Sequence, residues 1–132
     1  MSLTDPIANY LTLIRNAIQA KHQKVDIPSS KLLVEITKLL KDEGYITNYK
    51  VTDEGKRSVL RVYLRYGSKG ERVISGLQRV SRPGCRVYTP KKTIPNVLGG
   101  MGISILSTPK GILSGARARK EGLGGEVLCH IW

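Results

Sequence analysis

Gly99-Gly-Met-Gly-Ile-Ser-Ile-Leu-Ser-Thr-Pro-Lys-Gly-Ile-Leu-Ser-Gly-Ala-Arg-Ala-Arg-Lys-Glu-Gly-Leu-Gly-Gly-Glu-Val-Leu-Cys-His-Ile-Trp132 is the stretch from which the fold of this chain is read. Met101 to Leu106 predicts a strand, and Ser107-Thr108-Pro109-Lys110-Gly111 a turn rich in hydroxyls. Ser114 to Glu121 predicts a short basic helix closed by Gly122, and Glu126 to Ile131 a final strand. The order strand, turn, helix, strand makes this end of the chain mostly β with one short helix.

The same reading continues outward. Upstream, Arg72 to Val80 predicts a strand, Arg82-Pro83-Gly84 a tight turn and Arg86 to Thr89 a short strand. Ile94 to Gly99 predicts a helical turn. Further back, Asp5 and Pro6 open a helix over residues 5–20, with Ile7, Leu11, Ile14, Ala17 and Ile18 on one face. Val25 to Pro28 is extended. Ser29 or Ser30 caps a second helix carrying Leu32, Leu33, Ile36, Leu39 and Leu40, and Gly44 ends it. Tyr45 to Thr52 and Ser58 to Tyr66 predict a hairpin turning at Asp53-Glu54-Gly55-Lys56. In its second strand Leu60, Val62 and Leu64 alternate with Arg61, Tyr63 and Arg65, so one face is core and the other basic and aromatic. The glycines of Gly67-Ser68-Lys69-Gly70 mark the boundary. The prediction is an α+β fold of two small domains. Residues 1–66 run helix, strand, helix, strand, strand, and residues 67–132 are mostly β with one short helix.

The chain has 132 residues and a formal net charge of +12. Residues 1–66 carry 11 Lys and Arg against 7 Asp and Glu, while residues 67–132 carry 11 against 3. So uneven an excess of cations calls for a polyanion and places it on the second half. Phe is absent and Trp occurs once, so the core must be built from Leu, Ile and Val. The sequence has no signal peptide and no apolar run of membrane-spanning length, which predicts a cytoplasmic protein with no membrane partner. Cys85 and Cys129 are then expected reduced, as small, partly buried apolar residues.

Three clusters carry the candidate chemistry. At the turn, Ser107, Thr108 and Lys110 place hydroxyls beside a cation; hydroxyls donate and accept, so they suit a base edge, a ribose or a phosphate. An ordinary turn uses the same residue types. Arg82, Arg86 and Tyr88 form the second cluster, and strand alternation puts Arg86 and Tyr88 on one face. Cation and aromatic together grip a phosphate and stack on an exposed base; a solvated strand face carries the same residues. Ser114 to Lys120 is the third, a helix N-terminus followed by Arg117 and Lys120 on one face. The same cations also suit the C-terminal end of a helix. Gly124 and Gly125 suit close backbone approach to a ligand, and Glu126 suits either a base amino group or pairing with a nearby arginine.

Catalysis finds no foothold. Neither glycine run completes a dinucleotide-binding pattern, no phosphate-binding P-loop occurs, and no metal or cofactor set is present. Cys129 and His130 are adjacent on a strand and point to opposite faces, so they form no nucleophile–base pair. A non-enzymatic nucleic-acid-binding protein is expected, with no cofactor and no small-molecule substrate. Two other classes fit the sequence less well. A DNA-binding nucleoid-type protein lacks a helix-turn-helix signature here, and an RNA-modifying enzyme lacks its catalytic constellation.

Ser29-Ser30-Lys31-Leu32, Arg79-Val80-Ser81-Arg82-Pro83-Gly84, Ser107-Thr108-x-Lys110-Gly111 and Gly122-x-Gly124-Gly125-Glu126 occur in this order. Together with Asp5-Pro6-Ile7-Ala8 and Ile14-Arg15-Asn16, they resemble the bacterial form of small-subunit ribosomal protein eight over essentially the whole chain. The resemblance implies a structural protein that binds the central domain of small-subunit ribosomal RNA and helps organise the subunit platform. It implies small-subunit ribosomal proteins five and twelve as neighbours, and in some members repression of the protein's own message. It also implies main RNA contacts at Arg86, Tyr88, Ser107, Thr108, Lys110, Gly124, Gly125 and Glu126, and additional ones near Thr4, Asn16, Ser29, Ser30 and Lys31. The family often carries a serine where this chain has Pro109, so Pro109 is assigned no polar contact.

Overall fold

The computed structural model describes residues 5–132. The chain divides into two compact units, Tyr10–Ile74 and Ser75–Trp132, the latter joined by residues 5–9.

In the first unit, helix α1 (Pro6–Gln19) turns Leu11, Ile14, Ala17 and Ile18 inward, all buried. A short strand, β1 (Lys24–Pro28), precedes α2 (Lys31–Asp42). Of the two candidate caps, Ser30 is the one used: its hydroxyl accepts from the Leu33 amide at 3.2 Å. Gly44, at φ +82, closes α2, with the Tyr45 amide returning to the Leu40 carbonyl and its own amide to Lys41. The helix buries Leu33, Ile36 and Leu40, and also Thr37. A hydroxyl can be buried there because Thr37 donates to the Leu33 carbonyl at 2.7 Å and meets Tyr10 Oη at 2.6 Å. Strands β2 (Ile46–Glu54) and β3 (Arg57–Leu64) form the expected hairpin, and β3 is the centre of an antiparallel sheet ordered β1-β3-β2. Leu60, Val62 and Leu64 are buried, and Ile27 lies opposite Leu60.

The second unit is a twisted antiparallel sheet with one helix. Strands β4 (Leu77–Arg79), β5 (Tyr88–Thr89), β6 (Ile103–Thr108), β7 (Gly111–Ser114) and β8 (Gly125–Ile131) contribute. β8 pairs with β6 along one edge and with β4 and β5 at opposite ends of the other; β7 pairs with β6. Helix α3 (Gly115–Lys120) lies against β6 and β7, and Ile94, Leu106, Ala118 and Val127 form the core beneath it. Gly122, at φ +70, ends α3, with the Leu123 amide reaching the Ala118 carbonyl. The α+β fold class read from the sequence is the one observed.

Three local readings are corrected. The strand expected over 72–80 shrinks to β4. The amides of Ser75 and Gly76 both turn to the Trp132 carbonyl, and the Trp132 ring occupies the space a Cβ on Gly76 would need. The helical turn expected over 94–99 is replaced by two 3₁₀ turns, Lys91–Thr93 and Leu98–Gly100. Beyond the hydroxyl turn the chain does not run straight into the helix. It folds back as β7, a strand too short for its alternation to register in the sequence.

Cys85 is exposed and not partly buried as expected, while Cys129 is fully buried. Burial pushes the Cys129 thiol up to about 12. A disulfide-exchange reagent added to the native protein should therefore titrate one thiol quickly, and a second only after denaturation. Two fast thiols in the native protein would contradict the burial of Cys129.

Candidate nucleic-acid interface

The sheet of the second unit brings residues far apart in sequence into one row. Tyr88 on β5 and Ser107 on β6 both lie directly opposite Glu126 on β8. Paired residues of antiparallel strands point to the same side, so Tyr88, Glu126 and Ser107 share one face. It is the face opposite the Leu106–Val127 pair, which is buried in the core beneath α3.

Tyr88, a large aromatic, is 69% exposed. Glu126 is held firmly. Its Oε2 accepts from Ser81 Oγ and, at 3.1 Å, from Arg86 Nη1. Ser81 is fully buried and its hydroxyl also accepts from the Val87 amide at 3.2 Å. Arg86 itself is exposed and lies before β5, outside the strand that the sequence predicts over 86–89. Of the two readings open for Glu126, arginine pairing is the one observed. Ser81 was not singled out from the sequence, because the contact that defines its role spans 45 residues.

The hydroxyl turn is the two-residue loop of the β6–β7 hairpin. Thr108 pairs with Gly111, leaving Pro109 and Lys110 at the tip. Thr108 Oγ1 donates to the Gly111 carbonyl at 2.8 Å and accepts from the Lys110 amide at 3.2 Å. Its hydroxyl is thus committed to the turn. Ser107 Oγ has no hydrogen bond among the described residues and is available to a ligand. Lys110 is exposed at the tip.

Gly124 and Gly125 serve the sheet. A Cβ on Gly125 would lie 2.1 Å from the Ser107 carbonyl oxygen, and one on Gly124 would lie 2.3 Å from that of Thr89. Only glycine lets β5, β8 and β6 close up here, which is what brings Tyr88, Glu126 and Ser107 together.

The helix reading is corrected. Ser114 and Gly115 are buried and Ser114 Oγ takes the Arg117 amide at 3.2 Å, so the N-terminal turn of α3 does not present itself to an anion. Arg117 is exposed and approaches Glu121 at 3.4 Å, and Lys120 is exposed. Arg119 is structural, donating to the Ile94 carbonyl at 2.9 Å and to Asn96 Oδ1 at 3.1 Å. Lys91 and Lys92, exposed in the 3₁₀ turn that follows β5, join the cations on this unit. Their adjacency in the more basic half was the available signal.

The remaining candidates belong to the first unit. Asn16 is exposed on α1, and Ser29, Ser30 and Lys31 line the β1–α2 connection, with the Ser29 amide bonded to the Ser58 carbonyl at 3.0 Å. No hydrogen bond joins Asn16 to that connection among the described residues. Thr4 lies outside the described residues. Among those residues there is no group of three metal-ligating side chains, and no helix is long and apolar enough to cross a membrane.

A family model described as Ribosomal protein S8 matches residues 5–132. The chain is 61% identical over 132 residues to small ribosomal subunit protein uS8 of Acidobacterium capsulatum, covering all of both chains. It is 60% identical over 133 residues to the protein of the same name from Koribacter versatilis, again at full coverage of both. Against that of Clostridioides difficile, identity is 52% over 132 residues, with both chains fully covered.

Proposed function

The chain belongs to the ribosomal protein S8 family, and from that premise we propose that it is a structural component of the small ribosomal subunit that binds the subunit's RNA through the Tyr88–Glu126–Ser107 row. The observation that carries this reading is the row itself: an exposed aromatic, a fixed carboxylate–arginine pair and an uncommitted hydroxyl in register on one sheet face. Structured RNA is recognised by stacking on exposed bases and by polar contacts to ribose and phosphate. Tyr88 supplies the stack. Arg86, held by Glu126, supplies a positioned cation. Ser107 meets a base edge or a 2′-hydroxyl, and Lys110 meets a phosphate from the hairpin tip. Thr108 contributes by fixing the hairpin, and Gly124 and Gly125 by letting the strands close. Arg117 and Lys120 add long-range attraction.

The family resemblance supports a finer setting. The RNA is the central domain of the small-subunit ribosomal RNA, the role is assembly of the platform, and the neighbours are small-subunit proteins five and twelve. Thr4, Asn16, Ser29, Ser30 and Lys31 provide subsidiary RNA contacts. The protein works in the cytoplasm, within the ribosome, and represses its own message through a similar RNA element.

Binding of the full chain to central-domain RNA should weaken with salt at a log–log slope of about −4 to −6, as expected for roughly six neutralised phosphates. A DNA of the same sequence should compete poorly, because the ribose hydroxyl is part of what is read. Equal competition by the DNA, or a slope near zero, would refute the proposal.

A further inference from the structure

Away from the interface just described, the first unit carries a shallow pocket of about 470 Å³ whose walls include Lys21, Thr47, Arg65, Tyr66, Gly67 and Gly70. Lys21 is held in a left-handed conformation, φ +59, unusual for a residue with a long side chain. Its Nζ donates to the Gly70 carbonyl at 2.9 Å, and Arg65 Nη1 donates to the Gly44 carbonyl at 2.9 Å. Each cation is thereby fixed in place by a single hydrogen bond. Two of the three Lys21 ammonium protons, and Nε and Nη2 of Arg65, remain uncommitted among the described residues. Tyr66 donates its hydroxyl to the His22 carbonyl at 2.6 Å, which pins the aromatic wall. Arg72, paired with Tyr66 in an isolated bridge, adds a further cation alongside. The turn's carboxylate, Glu71, is folded back on the turn, where Oε2 accepts the Lys69 amide at 2.9 Å.

We infer that this pocket is a second RNA-backbone site, in which Lys21 and Arg65 hold one phosphodiester while the Tyr66 ring meets the adjoining sugar. Two anchored cations with spare donors, arranged around an open, partly apolar floor, fit a phosphate that is part of a chain. A free phosphate ion would gain nothing from the apolar part. The inference rests on the proposed RNA-binding function, since it concerns a further contact with the same RNA.

The test is hydroxyl-radical footprinting and salt titration of full-length protein on small-subunit ribosomal RNA. The Lys21→Gln/Arg65→Gln variant should lose protection of one backbone segment, keep the remaining protections, and show a salt slope shallower by about 0.7–0.9. The charge-preserving Lys21→Arg/Arg65→Lys variant should keep both the segment and the slope. Millimolar inorganic phosphate should not erase the protection; if it does, the pocket is a free-anion site and the inference is wrong. If thermal melts show the double glutamine variant unfolded, Lys21→Gln alone should weaken protection of the same segment and make the slope shallower by at most about 0.8. Wild-type protections and slope in the folded glutamine variants would overturn the inference while leaving the primary interface intact. A wild-type protein that protects no specific RNA would overturn the primary reading and this one with it.

Discussion

Replacing Arg79 by Ala should cost about 3 kcal/mol of stability, the largest effect expected of any single substitution considered. Arg79 sits on β4 with its side chain only 9% exposed, and its partner Asp5 is 18% exposed. Arg79 Nε reaches Asp5 Oδ2 at 3.0 Å and Oδ1 at 3.2 Å, while Nη1 donates to the Leu128 carbonyl at 2.6 Å. Asp5 does a second job, accepting the Ala8 amide at 3.1 Å as the cap of α1. One arginine therefore ties the start of α1 to the sheet of the same unit, and its loss strands a partly buried carboxylate. A drop in Tm of about 10 °C is expected in a thermal melt. A change of a degree or two would mean that water replaces the arginine without cost.

The pair also has a pH signature. Burial alone would raise the Asp5 pKa, but hydrogen bonds from Arg79 and the Ala8 amide, with the arginine's charge, hold it below 3.8. A carboxylate with a lowered folded-state pKa stabilises the fold fully above its unfolded value, and that contribution fades as pH falls through the folded value. Wild-type protein should lose stability below about pH 4 more steeply than Arg79→Ala does.

The second large effect is expected at Glu126. Glu126→Ala removes the acceptor of the Ser81 hydroxyl, which is fully buried, and releases Arg86. A buried donor left unmatched costs about 1–3 kcal/mol, and RNA affinity should fall as well because Arg86 loses its anchor. Glu126→Gln separates the two contributions. It retains an acceptor for Ser81 but no charge for Arg86, so stability should largely return while affinity does not. Recovery of both in the glutamine variant would show that the ion pair contributes nothing to binding.

How far the sequence alone could go is clear from particular residues. Local patterns were reliable. The alternation of Leu60, Val62 and Leu64 marked the buried face of β3, the spacing of Leu11, Ile14 and Ile18 marked that of α1, and Gly44 and Gly122 marked two helix ends. Each depends on residues within a turn or two of one another. What failed depended on distant partners. The shortening of β4 follows from Trp132, and the fate of Glu126 from Ser81 and Arg86. The candidate interface was half visible for the same reason. Tyr88, Ser107 and Glu126 were each chosen for their chemistry, but only strand register puts them in one row. Thr108 shows the converse. By residue type its hydroxyl is equivalent to that of Ser107, yet the hairpin consumes one and leaves the other without a hydrogen bond among the described residues.

The most direct test of the row as the RNA interface is the affinity of full-length Tyr88→Ala and Ser107→Ala proteins for central-domain RNA at fixed salt. An unrelated RNA hairpin serves as reference, and circular dichroism confirms folding. Tyr88 is exposed and the Ser107 hydroxyl has no hydrogen bond among the described residues, so neither substitution should disturb the structure. The account predicts that each weakens specific binding by about 1–3 kcal/mol, roughly ten- to a hundredfold, and leaves binding to the hairpin unchanged. Unaltered affinity of both folded variants for the central-domain RNA would contradict it.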